Sequence, residues 1–311
     1  MWVCPIIFDM KVVCITNDVE ATTITGVAYD DDLARRVSVE ALPAVLEVYK
    51  RYGVRTTFFC QGSMIEQHPE IVSLIESEGH EVASHGWVHD SDKAFDVLSA
   101  EEQTEQLRRA KETIDRYAMR PIVSFRAPAL RVDEHTCKAL RAAGYTHDSS
   151  VAPQRLDAFM SLGSKKKLQW IRAPRGVYET SIDNLARRGE SGIVEVPVSA
   201  WGLPYISTLM RISPILTHLT RWLLRLETSR KKNKSVVCFL FHPGEALEGQ
   251  LENYHVVRRS SNPITYLIKG VLRARMKRRN LGVPCLALLE NELVYWKKNN
   301  YEFKTIRELS V

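Results

Sequence analysis

The feature that most constrains this chain is a series of short apolar runs, each ending in polar residues able to do chemistry. Val12, Val13, Cys14 and Ile15 lead into Thr16-Asn17-Asp18-Val19-Glu20, and later runs lead into His85-Gly86-Trp87-Val88-His89, Arg126-Ala127-Pro128, Asp148-Ser149-Ser150 and His242-Pro243. The pattern predicts strands over residues 11–17, 56–60, 81–84, 123–126, 193–198 and 236–241. Amphipathic stretches between them predict helices over 42–52, 69–78, 100–117 and 134–143, and the chain closes with a helix over 286–298 and a short strand over 301–306. Strand and helix in alternation imply βαβ units around a parallel sheet, an α/β fold closed or nearly closed into a barrel. The polar clusters follow strand ends, where such barrels place their sites.

The clusters themselves point to a metal. Asp18 and Glu20 are two apart, so they leave a strand on the same face. His85 and His89 are four apart, a workable spacing for a divalent cation. One carboxylate plus two imidazoles makes three ligands and leaves a fourth position for water, the mark of a catalytic site. Asp18 and Glu20 also admit a plainer reading as a strand-end cap, but acids buried after four apolar residues need a partner and a cation supplies one. His242-Pro243-Gly244 alone reads as a turn. A carboxylate with two histidines suits zinc first, with cobalt, nickel, manganese or iron also compatible.

Taken together and in order, these segments resemble the polysaccharide deacetylase family, the carbohydrate esterases of family 4 built on the NodB homology domain. The resemblance implies a distorted, incomplete (β/α) barrel, here with a basic helical insertion. It also implies roles: Asp18 as base, Glu20, His85 and His89 as metal ligands, His242 as general acid, Arg126 beside Asp18, and Asp148 hydrogen-bonded to His242. The backbone N–H of Ala129 would face the developing oxyanion. Two departures stand out. The family's usual adjacent acids are separated here by Val19, so the reverse assignment of Asp18 and Glu20 stays open, and Ala129 stands where an aromatic residue often follows the proline.

The chain's 311 residues, 45% of them hydrophobic, suffice for one large domain, so residues 1–311 are expected to form a single catalytic domain. An insertion is expected at about 200–234 and a basic helical region at about 255–282. Within the first, Arg211, His218, Arg221 and Arg225 fall at helical spacing opposite Leu209, Ile212, Leu216, Leu219 and Leu223, an amphipathic helix over 203–226. Trp201 and Tyr205 lie just upstream as candidate sugar-stacking residues, with core packing equally open. The second block carries eight Lys or Arg between residues 258 and 279 and no acid between Glu252 and Glu290. Such charge suits an anionic membrane surface or a diphosphate, with solvated helices as the plain alternative. No nucleic-acid-binding motif accompanies it.

The six cysteines are scattered with no Cys-x-x-Cys pair, and residues 1–15 carry Asp9 and Lys11 and run into the first strand rather than forming a leader. Both features lead to the expectation of a cytoplasmic protein, peripheral to the inner membrane face if the basic regions touch lipid. The function expected is a metal-dependent hydrolase that removes an N-acetyl group from an amino sugar in glycan or surface-polysaccharide biosynthesis. Its substrate would be an amino-sugar glycan, a nucleotide sugar or a lipid-linked saccharide. Hydrolysis of a small non-sugar amide, as in allantoinase-like relatives, and non-catalytic glycan or membrane binding on the same fold are the alternatives.

Overall fold

A computed structural model describes residues 11–21, 29–154, 170–230, 236–248, 275–276 and 278–311. Its centre is strand β1 (Val12–Val19), every residue of which is buried. A strand covered on both faces reads as a near-continuous apolar run, which is what the sequence presents. Thr16, Asn17 and Asp18 are the polar residues of the strand, and the Asn17 amide is satisfied: Nδ2 donates to Thr56 Oγ1 and the Thr57 carbonyl at 3.2 Å each, and Tyr49 donates its hydroxyl to Oδ1 at 2.6 Å.

From β1 the chain passes through α1 (Asp31–Arg36), capped by the Asp30 carboxylate, and a π turn over Val37–Ala41 into α2 (Leu42–Tyr52). The wide turn lies just before Pro43, which has no N–H to continue an α ladder. There follow β2 (Thr57–Cys60), α3 (Gly62–Gln67), α4 (Glu70–Ser77), β3 (Glu81–Ser84) and α5 (Ala100–Asp115). Ser99 starts α5 with a reciprocal capping box to Glu102, and Leu107, Ala110 and Ile114 bury one face. Then come β4 (Ser124–Phe125), α6 (Thr136–Ala142), β5 (His147–Asp148), β6 (Tyr178–Ser181), β7 (Asn184–Arg188) and β8 (Val194–Glu195). A small hairpin, β9 (Ala200–Trp201) with β10 (Leu203–Pro204), precedes α7 (Ser207–Ile212) and α8 (Pro214–Arg230). The described chain ends with β11 (Val236–Phe241), α9 (Val283–Lys298) and β12 (Glu302–Phe303).

Among the described residues the main sheet has ten strands in the order β11-β1-β2-β3-β4-β5-β8-β6-β7, with β12 beside β1. The strands from β11 to β8 run parallel, whereas β6 pairs antiparallel with both β8 and β7. The two ends of this path, β11 and β7, do not pair with each other among the described residues. The sheet is therefore a curled, open half-barrel, the incomplete form that the family resemblance implies. The β6–β7 hairpin supplies a terminal edge that the pattern of apolar runs did not reveal.

The expected single helix over 203–226 is corrected. Ser213 leaves helical geometry at φ −146° and ψ 87°, so α7 and α8 are separate. Pro214 causes the break, because its ring disfavours the helical conformation in the residue before it. The expected sidedness is also wrong for the central residues: Arg211 and Arg221 are buried, while Leu216 and Leu219 are exposed. Arg211 turns inward to Glu245 at 2.7 Å and Arg221 to Glu292 at 2.8 Å. Of the basic region at 255–282, all but residues 275–276 and 278–282 lies outside the described residues, as do residues 231–235.

Candidate metal centre

The strand ends of the half-barrel gather the polar clusters. Asp18 is 4% exposed inside β1 and Glu20 follows the strand's end by one residue. His85 follows the last residue of β3 and is 1% exposed. Its backbone carries on through Gly86 at φ 72°, a left-handed conformation that glycine adopts without strain. That turn brings the ring of His89 to 5.8 Å from the ring of His85. A Cβ on Gly86 would meet Phe95 at 3.3 Å and Pro128 at 3.5 Å. Gly86→Ala should therefore cost about 1–2 kcal/mol in a urea titration through left-handed strain alone, and weaken metal binding through the displaced histidines.

Three donor atoms from Glu20, His85 and His89 lie within 4.8 Å of one another. Glu20 Oε2 stands 3.1 Å from His89 Nε2 and 3.5 Å from His85 Nε2. The other nitrogen of His85, Nδ1, donates to the Arg126 carbonyl at 2.9 Å. That bond assigns the ring proton to Nδ1 and leaves the Nε2 lone pair directed at the cluster, as ligating histidines require. Glu20 Oε2 is buried and makes no hydrogen bond. Burial opposes its charge, yet His89, His85 and His242 hold the carboxyl well below the usual carboxylate range. An orphaned anionic oxygen facing two imidazole nitrogens fits a divalent cation, and on chemistry alone the set suits zinc.

Arg126 is the scaffold behind these groups. Its guanidinium is fully buried and donates to Asp18 Oδ1 and Thr16 Oγ1, both at 2.8 Å, to the Ser149 carbonyl at 2.9 Å and to Ser149 Oγ at 2.7 Å. It lies over the Phe59 ring at 4.3 Å. One oxygen of Asp18 is thus fixed, while Oδ2 lies 4.0 Å from His85 Nε2 at the edge of the cluster.

His242 follows β11, next to β1 in the sheet. Its Nδ1 is 3.2 Å from Ser207 Oγ, which also accepts the His242 backbone N–H at 3.3 Å. Glu245 Oε1 lies 3.9 Å from the same Nδ1 and accepts from Thr208 Oγ1 at 2.8 Å and Arg211 Nη2 at 2.7 Å. Although burial disfavours its charge, Arg211 and then His242 draw the Glu245 carboxyl down to about 2. The expected Asp148–His242 hydrogen bond is absent among the described residues. Register places Asp148 opposite Glu195 across β5 and β8, and Asp148 accepts from Ser150 Oγ at 2.6 Å. Burial raises both acids, with Asp148 repelling charge on Glu195, and one buried oxygen of each makes no hydrogen bond. The carboxylate behind His242 is Glu245, contributed three residues further along the same turn.

Of the expected substrate contacts, Tyr205 is corrected to a core residue. It is fully buried, donates to Glu292 and accepts from Trp296 Nε1 at 2.9 Å, so its ring is closed to a sugar. Trp201 stays 47% exposed. Ala129 and Leu130 both adopt left-handed backbone, φ 52° and 53°, directly after Arg126-Ala127-Pro128. Two consecutive non-glycine residues in that conformation store about 1–3 kcal/mol each and mark a strained turn directly after the Arg126 segment.

The geometry defines a class: a half-barrel with a carboxylate and two histidines at its strand ends, an arginine-held aspartate beside them and an imidazole on the adjacent strand. Comparison with known proteins shows which proteins the chain is similar to. The model of the polysaccharide deacetylase family matches residues 19–147 of this chain. The chain is 27% identical over 186 residues to a peptidoglycan deacetylase of Helicobacter pylori, a match covering 58% of this chain and 61% of that one. It is 40% identical over 64 residues to a peptidoglycan-N-acetylglucosamine deacetylase of Listeria monocytogenes, covering 21% of this chain and 13% of that protein. These matches thus span less than two thirds of the relatives' length. A crystal structure described as a probable polysaccharide deacetylase from Pseudomonas aeruginosa shares the fold, with a TM-score of 0.58 at 13% identity over 96% of this chain and 89% of the other.

Proposed function

We propose that the protein is a metal-dependent carbohydrate N-deacetylase, removing an N-acetyl group from an amino sugar in glycan or surface-polysaccharide biosynthesis. The observation that carries this reading is the convergence of Glu20, His85 and His89 around a buried carboxylate oxygen without a hydrogen bond, beside an aspartate that does not share in the cluster's closest contacts. The relatives named for peptidoglycan deacetylation support an N-acetylated sugar as substrate class.

Glu20, His85 and His89 would hold the cation, most suitably zinc. When bound, such an ion acidifies water and polarises the acetamide carbonyl. Asp18 is the residue placed to take a proton from the attacking water, because Arg126 occupies its Oδ1 and leaves Oδ2 toward the cluster. His242 completes the scheme by giving a proton to the departing amine. Ser207 and Glu245 engage its Nδ1, which directs Nε2 to that task. The substrate is an amino-sugar glycan, a nucleotide sugar or a lipid-linked saccharide. The proposed location is the cytoplasm, a reading that the five buried free thiols among the described residues support.

Acetate release from N-acetylated amino sugars, free, nucleotide-linked and lipid-linked, tests the reading when metal content is measured alongside. Wild type should release acetate only with metal present. Asp18→Asn should retain the metal and lose about 100-fold or more of the rate, the usual weight of a general base. Wild-type protein that holds metal and releases no acetate from any of the three would refute it.

A further inference from the structure

Helix α8 is built inside out for a helix on a protein surface. Its inward face carries Thr217, Thr220, Arg221, Leu224 and Thr228, all buried. Its outward face carries Ile215 (80% exposed), Leu216 (41%), Leu219 (51%) and Trp222 (47%). Ile215, Leu219, Trp222 and Leu226 recur at spacings of four, three and four, so they form one line along the helix opposite the buried residues. The other large exposed apolar residues lie on other elements. Four on two turns of one helix form a stripe that needs a covering partner.

Charge selects that partner. Arg225 flanks the stripe, Arg230 extends it, and both are exposed. The sequence continues into Lys231, Lys232 and Lys234. The one acid of the helix, Glu227, is neutralised by Arg175, whose Nε lies 2.7 Å away. A cation-rich partner, such as the basic sequence at 258–279, would repel those flanks. An anionic lipid surface offers both the apolar layer and the opposite charge. No described helix is long and apolar enough to cross a membrane, so contact would be made by lying on it.

We propose that α8 docks the protein on an anionic membrane surface, burying Ile215, Leu216, Leu219 and Trp222 among the lipids with Arg225 and Arg230 at the headgroups. The inference is independent of the deacetylase reading. It does place the docking helix directly after α7, whose Ser207 touches His242, so membrane and site are joined through a single short element.

Flotation of the full chain with phosphatidylglycerol-containing vesicles, and with pure phosphatidylcholine vesicles, tests the proposal. Binding to the anionic vesicles should exceed binding to the neutral ones by about 10-fold or more and weaken with added salt. Leu219→Glu combined with Trp222→Glu should lose at least about 10-fold of that binding with an unchanged thermal melt, since both positions face solvent. Brominated lipid should quench part of the wild-type tryptophan emission, and that part should vanish in Trp222→Phe. No binding to anionic vesicles overturns the proposal. So does undiminished binding by the double variant, and so does self-association in lipid-free solution that the double variant abolishes, which would identify a second copy as the partner.

Discussion

Arg126→Met is expected to lower the stability of the protein by about 3–5 kcal/mol, the usual cost of removing one partner from a buried ion pair, and to abolish acetate release. Methionine fills much of the same volume, so the effect isolates charge and hydrogen bonding from packing. The loss has two origins. Asp18, 4% exposed, would be left without its counter-ion, and Ser149 and Thr16 would lose a shared donor. Arg126→Lys should recover part of the stability and little of the activity. One ammonium keeps the charge, but it cannot span Asp18 on one side and both oxygens of Ser149 on the other. Urea unfolding of the three proteins with parallel acetate assays decides the matter. Equal midpoints for wild type and Arg126→Met would remove Arg126 from its place as the scaffold of the site.

How much of this was legible in the sequence depends on the reach of each interaction. Helix α2 and strands β3 and β11 coincide with their expected boundaries, because a run of apolar residues and a terminal glycine such as Gly53 are local signals. Glu20, His85 and His89 were legible for the same reason: the pairings Asp18/Glu20 and His85/His89 are each confined to five residues or fewer. Asp148 was assigned the wrong neighbour because its partner is set by register across β5 and β8, 47 residues away, and no local pattern encodes that register.

Helix α8 failed differently. His218 and Arg225 lie outside as expected, but Arg221 of the expected polar face is buried and Leu216 and Leu219 of the expected apolar face are exposed, because periodicity defines faces without saying which one is inside. Burial of Arg211 and Arg221 becomes possible only through Glu245 and Glu292, 34 and 71 residues distant. Tyr205 belongs to the same buried network through Glu292 and Trp296, and its hydroxyl, satisfied there, has no need of a ligand. The misreadings thus share one cause. Long side chains with polar ends were placed outside by default, and the acids that allow them inside lie far along the chain.

Glu245→Gln is the change that separates this arrangement from one in which His242 acts alone. Glu245 ionises at about 2 in the fold against an ordinary 4.5, so its charge contributes stability that is present above pH 4.5 and fades as pH falls through 2. A difference of that size corresponds to about 3 kcal/mol. The variant should therefore be less stable than wild type by an amount of that order at neutral pH, and the gap should close on acidification, measured by urea titration at several pH values. Catalysis should respond separately. With a neutral amide in place of the carboxylate that lies 3.9 Å from Nδ1, His242 loses its orienting partner, and kcat should fall by about 10–100-fold, the typical weight of a partner behind a functional imidazole, while KM stays nearly constant. A purely structural Glu245 would instead lower stability and leave kcat of the folded variant at the wild-type value. Loss of a carboxylate working through His242 lowers kcat at pH values where the variant is fully folded.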